Sequence, residues 1–425
     1  MSGAVAAHAA YNGSGTQGLA VTNKITGNEG DVMSVFWNKN DTTRQLLHGS
    51  SIIEIPISGN GNSASLSSIF QVNNDIDAIG DLYLQISATT GSAVTYLNSF
   101  LVLANLIKRI EFQVGTQIWQ TLELADILAL VQTETSPSAF EHFVWSSSGG
   151  VNQTGAHQII DAVPANPWLY GTGKLTTGDV RKLTCAIKIP CLSSSLGAGK
   201  KFADVTENSY LLAAAPFQQV KVKVILDSAK IGSTSGLCSS VSLKLFGQHL
   251  IMCNEEREQV KNMPMGIPKR IKMTQNVTTT LAASATTATI DLDSFSLFSS
   301  HLIIKLSSTS TTVKNQIKTA EIKLNSSSFS GELEGAMLTG VTSDTLGLYF
   351  NQFYLANDTL GEYIYIFPFG SKAYGGSSVP LNRFDNVRLL LTLATANASG
   401  CTVSVTCVGE TTALYKGRAS SLAMY

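Results

Sequence analysis

The stretch Ile107-Lys108-Arg109-Ile110-Glu111-Phe112-Gln113-Val114-Gly115-Thr116-Gln117-Ile118-Trp119 reads as a β-hairpin. Ile110, Phe112 and Val114 alternate with Arg109, Glu111 and Gln113, the period of a half-buried strand. Gly115-Thr116 permits a tight reversal, and Gln117-Ile118-Trp119 begins the return. Beyond it Leu122, Leu124, Ile127, Leu128 and Val131 fall mainly at three- and four-residue spacings. That spacing predicts a short helical insertion, which Ser136-Pro137 ends.

The same strand signal recurs on both sides. Upstream, Ile53, Ile55 and Ile57 alternate with Glu54 and Pro56 until the Gly59-Asn60-Gly61-Asn62 turn cluster, and Leu82, Leu84 and Ile86 share one face of Asp81–Ser87. Residues 145–179 are rich in Gly, Ser, Pro and Asn and read as a long loop. Strands resume at Leu183–Ile189, Gln219–Leu226 and Ser240–Met252. Glu255-Glu256-Arg257-Glu258, read as a solvated turn, and then Pro264 and Pro268 mark a boundary. A second series follows at Ile271–Val277, Ala288–Leu292, His301–Leu306, Ala320–Leu324, Glu362–Phe367, Val387–Leu393 and Thr402–Val408. Thr345–Leu355 is ambiguous and has room for a short helix.

Each half thus offers seven or eight short strands with a helical insertion and no βαβ alternation, which predicts an all-β chain of antiparallel sandwiches. Eight strands in two sheets is the jelly-roll count. Strand pattern alone does not separate that topology from an immunoglobulin-like sandwich. The expected division is an arm at 1–30, a first domain at 31–262 and a second at 263–425. The arm is small, polar and Gly-rich, and is expected to order only against a partner.

Composition limits the functional classes. Charged residues are 14% of the chain against 44% apolar, below the roughly 25% of an average soluble protein. So little charge suggests a surface largely covered by neighbours. The formal net charge of −1 implies no global attraction to nucleic acid or to an anionic membrane. Lys269-Arg270-Ile271-Lys272 is the densest basic stretch and reads as a solvated strand face. The six cysteines, Cys185, Cys191, Cys238, Cys253, Cys401 and Cys407, include no C-x-x-C pair, so zinc and thiol-redox motifs lack support. Cys185/Cys191 and Cys401/Cys407 lie too far apart along their strands to bond. Reduced buried thiols are expected, as in a protein assembled in cytosol. The first residues lack the basic and apolar regions of a signal peptide.

Catalytic patterns fail on inspection. Ser195-Leu196-Gly197-Ala198-Gly199-Lys200-Lys201 suggests a phosphate loop, but Ser194 and Lys201 stand where Gly and Ser/Thr are required. His157 and Asp161 sit in a loop without a nucleophile elbow. His8, His48, His142, His249 and His301 are scattered without metal-ligand spacing. Adjacent Glu255 and Glu256 point to opposite faces of an extended chain. No catalytic, cofactor-binding or metal-binding residue is expected, and the chain reads as no enzyme.

Four motifs in order resemble the major capsid proteins of the nucleocytoplasmic large DNA viruses, the double jelly-roll lineage. Ile107–Ile118 is similar to that family's Ile-x-x-Val-Glu-x-x-Ile-Gly-Gly-Gln-x-Ile stretch, with Thr116 for the second Gly. Leu250-Ile251-Met252 followed by Glu255-Glu256-Arg257 resembles the close of its first jelly roll. Leu324-Asn325-Ser326 and Ser328-Phe329-Ser330 resemble Leu-Asn-Gly and Arg-Phe-Ser, without the Gly and Arg. Tyr363–Phe367, Gly375-Gly376-Ser377-Ser378 and Asn382-Arg383-Phe384-Asp385-Asn386 resemble the closing run. Val35-Phe36-Trp37-Asn38-Lys39 matches the family's Phe-Phe-Lys stretch least well. As local structure, Asp385 and Asn386 are expected to bond neighbouring N–H groups, and Arg383 to pair with Asp385.

The resemblance implies two consecutive eight-stranded antiparallel jelly rolls with short helical insertions. It also implies a homotrimer forming a pseudo-hexameric capsomer of an icosahedral virion. The expected partners are the chain itself, neighbouring capsomers, minor capsid and penton proteins and an underlying membrane, with no specific nucleic-acid binding. Assembly in the host cytoplasm follows. The alternative is a secreted or surface β-sandwich binding module of the adhesin or carbohydrate-binding kind.

Overall fold

The computed structural model describes residues 48–58, 66–73, 76–90, 103–104, 106–124, 126–127, 130, 182–190, 210–232, 238–252, 254–262, 267–307, 317–334, 362–369, 378–395, 400–416 and 418–423. The first strand series is β1 (His48–Ile55), β2 (Ser67–Gln71), β3 (Ala78–Thr90), β4 (Ile107–Val114), β5 (Gln117–Glu123), β6 (Lys182–Ile189), β7 (Tyr210–Leu211), β8 (Val220–Leu226) and β9 (Cys238–Met252). One sheet runs β1-β9-β3-β6, with β7 also on β3, and the other runs β2-β8-β4-β5. All neighbours are antiparallel. Leaving out the two-residue β7, strands one, eight, three and six share a sheet, and two, seven, four and five share its partner. An immunoglobulin-type sandwich keeps its first two strands in one sheet. Here β1 and β2 lie in different sheets, so the wrapping is that of a jelly roll.

Helix α1 (Asn254–Lys261) leads to β10 (Ile267–Leu281), β11 (Thr287–Asp291), β12 (Phe298–Ser307), β13 (Ile317–Leu324), β14 (Ser327–Ser328), β15 (Leu333–Glu334), β16 (Glu362–Pro368), β17 (Val379–Pro380), β18 (Val387–Leu393), β19 (Cys401–Lys416) and β20 (Ala419–Ala423). The order repeats: β10-β19-β12-β16, with β17 on β12 and β20 on β19, against β11-β18-β13-β14, with β15 also on β13. The fifth position of this roll has shrunk to β14 and β15. Two jelly rolls in tandem account for the described chain.

Burial follows the residue alternation. In β8 every second residue, Val220, Val222, Val224 and Leu226, is buried, so one face of that sheet meets the core. In β12 the consecutive Leu302-Ile303-Ile304 are all buried, which requires cover on both faces. Leu302 and Ile304 pack inside the second roll. Ile303, with Ile366 and Val408, instead joins the core cluster of the first roll. The outer face of the second roll's large sheet is therefore packed against the first roll. Each such side chain contributes about 1.5–3 kcal/mol of burial.

Several local expectations change. The helical insertion begins at Leu124, because Leu122 still belongs to β5; of the remainder, Asp126, Ile127 and Leu130 are described and helical. Glu255-Glu256-Arg257-Glu258 is no turn but lies within α1, where Arg257 pairs with buried Asp77. Ile53 and Ile57 share a strand face with Ile55, yet only Ile55 is buried. Arg383 and Asp385 are exposed, and the N–H groups at this corner are met by other residues. Asn325 Oδ1 accepts from Asn386 N at 3.2 Å, and Asp293 Oδ1 from Val387 N at 2.6 Å. The arm, the 145–179 loop, Thr345–Leu355, Ser195–Lys201, and His157 with Asp161 lie outside the described residues.

Candidate functional site

The seam between the rolls is built on Tyr210. Its ring meets Trp119 and Tyr415 edge-on, each at 5.5 Å between centroids, and Phe112 at 6.2 Å. Its hydroxyl lies 2.6 Å from Ser420 Oγ, and Leu211 N donates to Tyr415 Oη at 3.3 Å. Gln218 clasps Ser420 from the same side: Oε1 accepts from Ser420 N at 2.7 Å, and Nε2 donates to Ser420 O at 3.1 Å. Burial pushes both phenols above their ordinary range, so they remain neutral hydrogen-bonding groups.

The far end of the seam is polar in another way. Lys305 Nζ lies 3.5 Å from Glu123 Oε2, and Thr274 Oγ1 donates to Thr121 O at 3.1 Å. Asp126 is buried among these groups. Desolvation pushes its carboxyl up to about 6, against hydrogen bonds from Thr406 and from Glu123 N.

These two ends fix a direction. Gly115 N donates to Gln219 O at 2.7 Å, so the β4–β5 turn, Gln218 and Ser420 share one end of the molecule. Glu123 at the end of β5 and Lys305 near the end of β12 share the other. The β3–β4 and β5–β6 connections leave the first roll at the Glu123 end. The β12–β13 and β15–β16 connections leave the second roll at the Lys305 end. The longest connection of each roll, β5–β6 in the first and β15–β16 in the second, therefore leaves on the same side. Loops grouped on one side of a rigid scaffold are where variable surface accumulates.

The edge strand β1 carries a second feature. Among the described residues it pairs with β9 alone. Ile52 is 64% and Ile53 44% exposed, and Ile57 and Ile251 are also exposed. Beneath it is a groove of about 490 Å³, lined by Ile53, Ile55, Ile57, Val72, Ile76 and His249 among others. His249 is only 5% exposed, and among the described residues neither ring nitrogen has a hydrogen-bond partner. Burial lowers its pKa, so the imidazole is neutral. Gly247 allows the close packing here, since a Cβ on it would lie 2.8 Å from Ile55 Cδ1. This site escaped sequence reading, in which His249 was one of several scattered histidines.

The motif residues hold structure together. Glu111 is buried against Arg109 Nη2 at 2.9 Å and Gln113 Nε2 at 3.1 Å. Gly115 has φ 61°, whereas Thr116 is outside the left-handed region. The turn needs one glycine, in its first central position, as a type II′ hairpin does. Among the described residues no three His, Cys, Asp or Glu side chains are placed to hold a metal. No described helix is long and apolar enough to cross a membrane.

No protein-family model matches the sequence, and no curated protein matches it. Solved structures do match in shape. PBCV-1 VP54, in a crystal structure fitted into a reconstruction of the virophage Sputnik, superposes with a TM-score of 0.65 at 13% identity, over 92% of this chain and 100% of that one. The chain in a quasi-atomic model of the PBCV-1 virus capsid gives 0.62 at 14% identity, over 92% and 100%. The Faustovirus major capsid protein gives 0.59 at 8% identity, over 94% and 97%. The chain has the fold of viral major capsid proteins. At these identities the likeness lies in the backbone path, and the double jelly roll spans essentially the full length of each relative.

Proposed function

We propose that this chain is a major capsid protein whose work is geometric rather than catalytic. One observation carries the reading: two jelly rolls fused along a buried seam, with the longest connection of each leaving on the same side. Such a unit presents two similar walls, so three copies around an axis present six and fill a hexagonal lattice position. The low charge content supports extensive burial by neighbours. In this reading the chain forms homotrimers that pack into an icosahedral shell, meeting neighbouring capsomers, minor and penton proteins and an underlying membrane, with assembly in the host cytoplasm. The arm at 1–30 orders in the shell, the first roll occupies 31–262 and the second 263–425. A carbohydrate-binding surface would call for clustered exposed tryptophan, and Trp119, the one tryptophan among the described residues, is buried. Light scattering on the purified protein tests the proposal: the expected mass is about three times the 45.2 kDa chain. Negative-stain images are expected to give hexagonal outlines. A monomer at micromolar concentration would overturn it.

A further inference from the structure

The groove beside β1 combines three properties that a finished edge does not have. Its strand has an unused backbone edge among the described residues. Its wall exposes aliphatic side chains, and its floor holds an imidazole whose two nitrogens have no partner among the described residues. Native sheets cover, charge or shorten such edges, and a buried polar group without a partner costs about 1–3 kcal/mol. An extended peptide laid along β1 would meet all three needs by strand addition.

The chemistry of the groove restricts the occupant. Glu54, the one charged residue in the described lining, is committed to Lys244 at 3.2 Å. The described lining therefore offers no unpaired charge, which favours an uncharged strand with aliphatic or aromatic side chains and a neutral hydrogen-bonding group. Val32-Met33-Ser34-Val35-Phe36-Trp37-Asn38 has that composition. It lies between Asp31 and Lys39, and holds the only adjacent aromatic pair in the first 47 residues. Ser34, Trp37 and Asn38 each bring a neutral group able to bond an imidazole nitrogen. Reach allows the same chain to supply it. The eleven steps from Trp37 to His48 span up to about 36 Å, and His48 to Ile57 measures at most about 30 Å along a strand.

We propose that Val32–Asn38 docks in cis along the free edge of β1, fills the groove with its apolar side chains and satisfies His249. It would give the first sheet a further strand and seal its edge. The inference concerns the subunit itself, so it stands or falls independently of the capsid reading.

Amide hydrogen exchange on the full-length protein, read by mass spectrometry, tests it. The expected result is slow exchange across residues 51–57 in the parent chain, and about tenfold faster exchange there in Val35→Asp. Peptides from β12 and β19 should be unchanged, which controls for folding. Three results would overturn the proposal. The parent's β1 exchanges as fast as the variant's; Val35→Asp leaves β1 slow; or the protection of β1 falls on dilution, which would assign the strand to another copy.

Discussion

Arg257 grips Asp77 with two hydrogen bonds, Nε to Oδ1 at 2.6 Å and Nη2 to Oδ2 at 2.8 Å. Asp77 Oδ2 also accepts from Met252 N at 2.7 Å. One buried carboxylate thus ties α1, the end of β9 and the entry to β3 into a single corner. The acidic-acidic-Arg run that marks the close of the first roll owes its place to that third residue.

Removing the guanidinium leaves a buried carboxylate with a backbone N–H but no counter-charge. Arg257→Ala is expected to cost about 3–5 kcal/mol. Arg257→Lys should fall between variant and parent, because an ammonium lacks the planar fork. Urea unfolding of the three proteins checks the order. Equal midpoints would mean that the corner does not depend on this pair.

Asn325 and Ser326 form the two-residue turn between β13 and β14, with φ of 49° and 70°. Both angles are in the left-handed region, as a type I′ turn requires, and glycine suits the second position. Ser326→Gly is therefore expected to stabilise the second roll by about 1 kcal/mol. A rise in thermal midpoint supports this, and a fall would show that the Ser326 side chain contributes more than its strain costs.

The buried Asp126 carboxyl gives the seam a pH dependence. Its pKa is raised from 3.8 to about 6 in the folded chain, chiefly by desolvation. Between these values the native state holds a proton that the unfolded chain has released. Stability from this group is thus fullest below about pH 4, falls as pH rises to 6 and stays lower beyond. The loss amounts to about 3 kcal/mol. Asp126→Asn cannot titrate, so its stability relative to the parent should improve by about that amount between pH 4 and 7. Denaturation series at four pH values would reveal it, and parallel curves would refute it.

Cys238 and Cys407 are buried free thiols, and desolvation pushes each up to about 12. At pH 8 almost no thiolate forms at either. Iodoacetamide should leave both unmodified in the native protein and label both in urea. Native labelling at a rate near that of a free thiol would contradict the buried placement.

Much of this architecture was legible in residue alternation. Ile110, Phe112 and Val114 mark β4, and Val220, Val222 and Val224 mark β8, because each faces one core and one solvent-side surface. β2 was missed because its inward positions are Ser68 and Phe70, one of which carries no apolar signal. The four-residue charge run hid α1, since a local pattern does not reveal that Asp77, 180 residues earlier, waits for Arg257. The groove was illegible for the same reason. A lone histidine in a strand means nothing until Ile53 to Ile57 and Val72 to Ile76 are brought around it.

In both rolls the strand at the centre of the large sheet is made after the two strands it joins. β9 lies between β1 and β3, and β19 between β10 and β12. A ribosome thus releases each sheet as separate ribbons, which stay unjoined until residues 238–252, and later 401–416, have emerged. The second roll's sheet is apolar on both faces, so it must also find the first roll already closed. Synthesis from the N-terminus presents them in that order. A nascent chain stopped before residue 401 would hold a finished first half and an unclosed second half, which is the interval in which chaperone demand and aggregation should peak.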